Sequence, residues 1–200
     1  VKPKFLLSDH IEIAEAQLLQ PDFFARDTVS VAQELLGSPL VSVRWNGSDY
    51  EVTGGLIVET EAYEDENDPA SHAYGGPKNR NRLMFEQPGI VYVYFIYGNH
   101  FCVNLVAHPH QRAGAVLIRA LQPRWGVEFM HRRRSGRALC DGPGKLCQAL
   151  SINASDNGQA IAASGLYLLQ RQLDPKSIEA STRIGISKGQ DKLWRFCAQL

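Results

Sequence analysis

A chain of 200 residues is the length of one ordinary domain with a core of its own, and 44% hydrophobic with 21% charged residues is the composition of a globular protein. No apolar run approaches the roughly 20 residues of a membrane span, and no charged-then-apolar leader precedes a small-residue cleavage site, so the expected compartment is the cytosol. A net charge of +0 hides an asymmetry: residues 1–70 hold fourteen acids and four bases, whereas residues 71–200 hold seven acids and seventeen bases.

Residues 1–20 read as a loosely attached arm, and 21–200 as a single domain. "FFARDTVSVAQELLG" predicts a capped helix, with Asp27 or Thr28 at its N-cap, apolar Val31, Leu35 and Leu36, and Gly37 as its stop. In "LVSVRWNGSDYEVTGGLIVETEAY", Asn46-Gly47 between apolar-rich runs signals a hairpin. Residues 64–82 are polar with Gly and Pro, a long loop of the kind that often carries function. "GIVYVYFIYGNHFCVNLVAH" predicts a second hairpin turning near Gly98-Asn99, and "GAVLIRAL" a further buried strand. "GVEFMHRRRSG" reads as helix or loop, "CDGPGKLCQALSI" as a short helix entered through Gly and Pro, and "GLYLLQR" and "TRIGIS" as late strands. Strands and helices do not alternate in βαβ fashion, so the expected class is α+β: one curved, mainly antiparallel sheet with surrounding helices and a protruding hairpin.

Chemistry concentrates at the end of "GLIVETEAY". Alternation puts Ile57, Glu59, Glu61 and Tyr63 on one strand face, with the two carboxylate positions roughly 6–7 Å apart at about 3.3 Å per residue. An acid on a core-side face needs a basic partner, hydrogen bonds or catalytic work. The plain structural reading is an ion pair with an arginine such as Arg119. Tyr63 beside the second acid, and His72 in a glycine-flanked loop, weigh against that reading for both acids. Tyr92, Tyr94 and Tyr97 crowd six residues. Tyrosine favours strands, but flat rings near a carboxylate and an arginine-rich stretch suit a planar, cationic group next to a polyanion.

The densest basic block is Arg112, Arg119, Arg124, Arg132, Arg133, Arg134, Arg137 and Lys145; one basic face is enough to bind a polyanion, and the plain alternative, for Arg132 to Arg134 above all, is a solvated basic surface. "CDGPGKL" fails as a phosphate loop, because no glycine stands five residues before Gly144 and Leu146 replaces Ser or Thr. Its backbone N–H groups remain available to a phosphate. "HPH" at 108–110 lacks a third ligand, and Cys102, Cys140, Cys147 and Cys197 form no C-x-x-C pair. Neither a metal nor a cofactor is expected.

"LLGSPLVSV", "GLIVETEAY" with His72, "NRNRLMF", "PGIVYVYFIYGNHFCVN", "AVLIRALQP" and "GPGKLCQAL" resemble, in order, motifs of the alkyladenine (3-methyladenine) DNA glycosylase family, from about Leu35 to Leu150. "RIGIS" and "WRF" resemble its last pieces. The resemblance implies a monomeric, monofunctional glycosylase of base excision repair that acts on duplex DNA containing damaged purines. In a bacterium it would work beside the nucleoid, and in a eukaryote in the nucleus. Glu61 would be the base that activates a water, with Arg119 close by to hold the water and a phosphate. Tyr63, His72 and Tyr94 would sandwich the flipped base, and Asn104 would disfavour guanine at the pocket floor. Tyr97 would be the minor-groove wedge. Lys145, Arg80 and Arg82 would contact the DNA backbone. His100 departs from the residue the family more often has beside the wedge.

The chemistry fits that implication. A base inside a duplex must be extruded before an enzyme can act on it, and an inserted side chain offsets part of the cost. An alkylated purine is a cation that electron-rich rings attract by about 0.5–2 kcal/mol and that leaves readily, so a positioned water and one carboxylate suffice. One geometric condition follows. A two-residue turn at Gly98-Asn99 would put Tyr94 and Asn104 on opposite faces. Sharing a pocket requires an odd connection or a bulge, and a three-residue loop Gly98-Asn99-His100 with Tyr94 opposite Asn104 is expected. Two other functions fit parts of the pattern. A non-catalytic damaged-DNA-binding module would keep the pocket without the chemistry. A glycosidase using Glu59 and Glu61 would need carboxylates flanking the sugar from opposite sides, which one strand face does not give.

Overall fold

The computed structural model describes residues 17–96, 98–136 and 138–200. The expected arm therefore lies almost wholly outside the described residues, as does Tyr97. In chain order the elements are α1 (Pro21–Phe24), α2 (Thr28–Glu34), β1 (Pro39–Trp45), β2 (Tyr50–Tyr63), β3 (Val91–Ile96), β4 (His100–Val106), β5 (Ala115–Trp125), α3 (Val127–Arg133), α4 (Pro143–Ala149), β6 (Leu166–Leu168), β7 (Ser177–Ser181) and β8 (Arg195–Gln199). This is the α+β class expected, with a curled antiparallel sheet as its frame.

The strands run β3-β4-β5-β2-β1-β6, and β8 joins β2 to β7. The fourteen-residue β2 is the axis of the sheet. It carries β5 along one edge, and on the other β1 over its first half and β8 over its second. Two features let one strand serve both neighbours. Gly54 and Gly55 sit at an irregularity where a Cβ would fall 2.6 Å from the Leu40 carbonyl oxygen and 2.3 Å from that of Gln122. A bulge then follows between Ile57 and Thr60. The bulge overturns one expectation: Ile57 does not share a face with Glu59 and Glu61 but joins Ala62 in the main core, on the side where Thr60 Oγ1 donates to the Ala32 carbonyl of α2. An extra residue in a strand reverses the alternation beyond it.

Helices α2 and α4 cover this core face, burying Val31, Leu35, Leu146 and Leu150 against Val103, Leu105, Val116 and Ile118. Asp27 is the N-cap of α2 and accepts from Ser30 N at 2.8 Å. Gly37, at φ +83°, follows the helix and lets its backbone pass Leu173. The first hairpin forms, but through a four-residue turn: Trp45 pairs with Tyr50, and Asn46 Oδ1 accepts from the backbone N–H groups of Ser48 and Asp49. "TRIGIS" is not a strand. Gly185 at φ +79° breaks the extended run; the late strands are β6, within "GLYLLQR" as expected, and β7 and β8 on either side of this turn. Among the described residues no helix is long and apolar enough to cross a membrane.

Candidate active site

On the face opposite the helices, one cross-strand row lines up side chains from five strands. Tyr92 pairs with Asn104, Asn104 with Leu117, Leu117 with Glu61, and Glu61 with Arg195. Directly paired residues point to the same face, so the register alone gathers groups up to 134 positions apart in the chain. Tyr94 and Tyr63 flank the row two positions along their strands.

The β3–β4 hairpin meets the parity condition by a different register. Ile96 pairs with His100, which leaves a three-residue connection, 97–99, and puts Tyr94 opposite Cys102 rather than Asn104. The loop is odd, as expected, but begins one residue earlier: His100 belongs to β4, and Gly98 takes φ +71° in the loop's centre. Tyr94 and Asn104 share a face as near neighbours rather than as partners.

Glu61 is fully buried and has three donors around it. Tyr63 Oη donates to Oε2 at 2.7 Å, Ile184 N donates to Oε1 at 2.7 Å, and Arg119 Nη1 stands 3.3 Å from Oε1. Burial first, and then the adjacent Glu61, push the Tyr63 hydroxyl well above the usual tyrosine range, so it stays a donor. Glu59 is a hub of a different kind: its Oε1 accepts from Arg119 Nε at 2.8 Å and from Arg195 Nε at 2.6 Å. Arg119 is thus gripped by one acid and presented to the other. Both its carboxylate partners are needed, because burial works against its charge.

Next to these groups opens a cavity of about 410 Å³. Tyr63, His72, Tyr94, Asn104 and Arg119 line it, over a floor that includes Met84, Ala115 and Leu117. Glu61 does not line it, but lies directly behind Tyr63, Arg119 and Ile184, which do. His72 stands exposed at the rim, its ring 4.8 Å from that of Tyr94, and its Nδ1 lies 3.0 Å from Tyr92 Oη. Burial of part of the ring, and then nearby Arg80, lower the His72 pKa and so favour the neutral imidazole. Asn104 is buried, and its Nδ2 donates to the Tyr92 carbonyl at 3.0 Å, which leaves Oδ1 as the atom free to read a ligand. Buried Asn81 ties down the loop that carries His72, donating from Nδ2 to the carbonyls of His72 and Gly76.

Lys145 also lines the cavity, at the first turn of α4, and pairs with Asp141 at 2.9 Å. Arg80 and Arg82 are exposed on the loop beyond His72. His100 packs on Gly144, where a Cβ would meet its ring at 2.9 Å. Several members of the basic block are engaged within the protein, and Arg137 lies outside the described residues. Arg112 pairs with Asp65, Arg133 with Glu51, Arg134 with Gln148, and Arg132 stacks on Phe129. Sequence reasoning passed over the Ile184 N–H, Arg183 and Asp68. The pattern of alternating isoleucines in "RIGIS" mimics a strand, and a backbone donor leaves no mark in a sequence.

Known proteins are similar in sequence to this chain over most of its length. The family profile described as methylpurine-DNA glycosylase matches residues 22–199. A protein of Rhodopseudomonas palustris (strain ATCC BAA-98 / CGA009), provisionally named 3-methyladenine DNA glycosylase, is 47% identical over 192 residues, 94% of this chain and 88% of its own. One of the same provisional name from Chlorobium phaeovibrioides is 44% identical over 181 residues, 88% of this chain and 91% of its own. Another, from Nitrosospira multiformis, is 43% identical over 176 residues, 86% of each chain. With nearly the whole domain matched, and a cavity built by its central strands, the chain belongs to the methylpurine-DNA glycosylase family and is a DNA N-glycosylase.

Proposed function

We propose that this enzyme flips alkylated or deaminated purines out of duplex DNA and hydrolyses their N-glycosidic bond with a water activated by Glu61, acting as a single domain over 21–200. The observation that carries this reading is a buried carboxylate held by three donors immediately behind an aromatic-lined cavity of nucleobase scale. Three donors hold the carboxylate in one orientation. A carboxylate has about four acceptor positions. The water takes the one left on Oε2, reached from the side of Tyr63 and Arg119. There it is aimed at C1′ while the developing oxocarbenium ion is stabilised by the anionic surroundings.

Tyr63, Tyr94 and His72 take the faces of the flipped base. For a cationic lesion such as 3-methyladenine this adds cation–π attraction of about 0.5–2 kcal/mol. With Nδ1 engaged by Tyr92 Oη, the His72 ring is held in its orientation beside Tyr94. Asn104 Oδ1 at the floor discriminates against guanine, and Tyr97 fills the gap in the stack. The relatives are bacterial, which supports nucleoid DNA as the substrate in this reading.

The test uses duplexes with one hypoxanthine or one 3-methyladenine, incubated with wild type or Glu61→Gln and then treated with alkali. Strand cleavage that needs alkali and is lost by at least about 10²-fold in the variant supports hydrolysis through Glu61. Binding without base release by wild type would instead identify a damage-binding module. Equal release by both proteins would remove Glu61 from the role.

A further inference from the structure

We infer that Arg183, locked to Asp68, is a positioning residue for the reaction: it holds the segment that delivers the Ile184 N–H to Glu61 and ties the two rim loops of the cavity to the strand bearing the acid. This inference rests on the glycosylase reading of the site. Both side chains of the pair are wholly buried. Arg183 Nη1 donates to Asp68 Oδ2 at 2.5 Å, and Nη2 donates to Oδ1 at 2.7 Å, a bidentate fork. Nη1 also donates to the carbonyl of Ala62 at 2.9 Å, between Glu61 and Tyr63 on β2. The guanidinium lies 4.6 Å from the centre of the Tyr63 ring and 5.3 Å from that of Trp194.

Asp68 is equally committed. Its Oδ2 accepts from Glu64 N and its Oδ1 from Ala70 N, both at 3.2 Å, at the start of the loop that presents His72. Ala70 and His72 line one side of the cavity, and Ile184, Gly185 and Ile186 another. One ion pair therefore fixes both loops with respect to β2.

Stability does not explain such an arrangement. Two buried charges lose their hydration, and well-packed apolar residues of similar volume often do as well or better, so the pair is to be understood by what it holds in place. What it specifies here is legible in the next residue. Ile184 leaves its side chain half exposed while its N–H reaches a fully buried carboxylate at 2.7 Å. The segment gains little by burying its apolar side chain, so its placement comes from the neighbouring arginine. Lysine cannot reproduce the fork: it has one nitrogen where three acceptors must be met in a plane.

The experiment compares wild type, Arg183→Lys and Glu61→Gln in single-turnover release of hypoxanthine from a duplex, with enzyme in excess. Binding to a duplex carrying a tetrahydrofuran abasic analogue and the melting temperature are measured on the same proteins. A displacement of about 1 Å in a reacting group can cost roughly 10²-fold. The expected result is a loss of that order in the Arg183→Lys rate, with affinity for the abasic duplex within about threefold of wild type. Equal losses in rate and affinity, or an unchanged rate, would overturn the inference. Amide hydrogen exchange of the wild type gives a second reading should the variant not fold. Protection of Ile184 N–H comparable to that of the β2 amides supports the latch, and free exchange overturns it. No release by wild type would overturn the functional reading and this inference with it, whereas release by wild type with an unchanged Arg183→Lys rate would overturn this inference alone.

Discussion

At the scale of single residues the site separates two kinds of acid that look alike in "ETE". Glu59 is the partner of two arginines, and its work is to hold Arg119 and Arg195. Glu61 has an amide, a phenol and one guanidinium around it, donors that fix a carboxylate without occupying it fully. The two differ by what lies across the strand and in the loop after β7, not by anything in the dipeptide pattern. His72 gives a pH prediction. Its folded pKa is held below the ordinary 6.5 by burial and then by Arg80, so on acidification the unfolded chain takes up the proton first. The stability associated with neutral His72 is intact above about pH 6.5 and is lost as the pH falls through the lower folded value. Melts of wild type and His72→Gln at pH 7.5 and 5.5 test this: the drop in Tm between the two should be smaller in the variant. Equal drops would mean that the imidazole pays no burial penalty when charged.

At the scale of elements, α2 and its stop show how local chemistry sets the frame. Gly37 has φ +83°, and a Cβ there would fall 1.9 Å from the Leu173 carbonyl oxygen. Gly37→Ala therefore combines backbone strain with a backbone overlap, and a loss of about 2–4 kcal/mol in unfolding free energy is expected by urea denaturation. A change under 1 kcal/mol would mean that the segment at Leu173 moves aside freely. Helix α2, both hairpins and β5 were legible in the sequence because each is specified locally, by a cap, a turn residue or a continuous apolar run. The odd β3–β4 loop was legible too, since Tyr94 and Asn104 had to share a face. Its placement at 97–99 rather than 98–100 was not, because it turns on which residue takes the positive φ, and Gly98 could serve either loop. The Val58 bulge was hidden inside "GLIV", where every side chain is apolar and alternation carries no signal. "TRIGIS" misled for the opposite reason: its alternation is real, but it records contacts with the cavity and with Asp68 rather than a ladder.

At the scale of the whole molecule, the charge asymmetry along the chain is partly offset by folding. The acids of the first 70 residues meet bases of the remainder: Asp65 with Arg112, Glu51 with Arg133, Glu59 with Arg119 and Arg195, and Asp68 with Arg183. Several members of the basic block are thereby committed to internal pairs. The cations left for a polyanion around the cavity include Arg80 and Arg82, which are exposed, and Lys145, whose surface pair with Asp141 holds it only weakly. Each phosphate neutralised by such a side chain contributes about 0.9 to the slope of log K against log salt for duplex DNA. A protein carrying Arg80→Gln, Arg82→Gln and Lys145→Gln together should bind a hypoxanthine duplex with a slope reduced by about two to three, and with the larger loss of affinity at low salt. Its single-turnover rate at saturating enzyme should stay within a few-fold of wild type, because none of the three touches Glu61 or Arg119. Titrations at four salt concentrations measure the slope, and an unchanged slope would move the phosphate contacts to another part of the surface. A reduced slope with a collapsed rate would mean instead that the backbone contacts also hold the extruded nucleotide against the acid, so that affinity and chemistry share the same anchors.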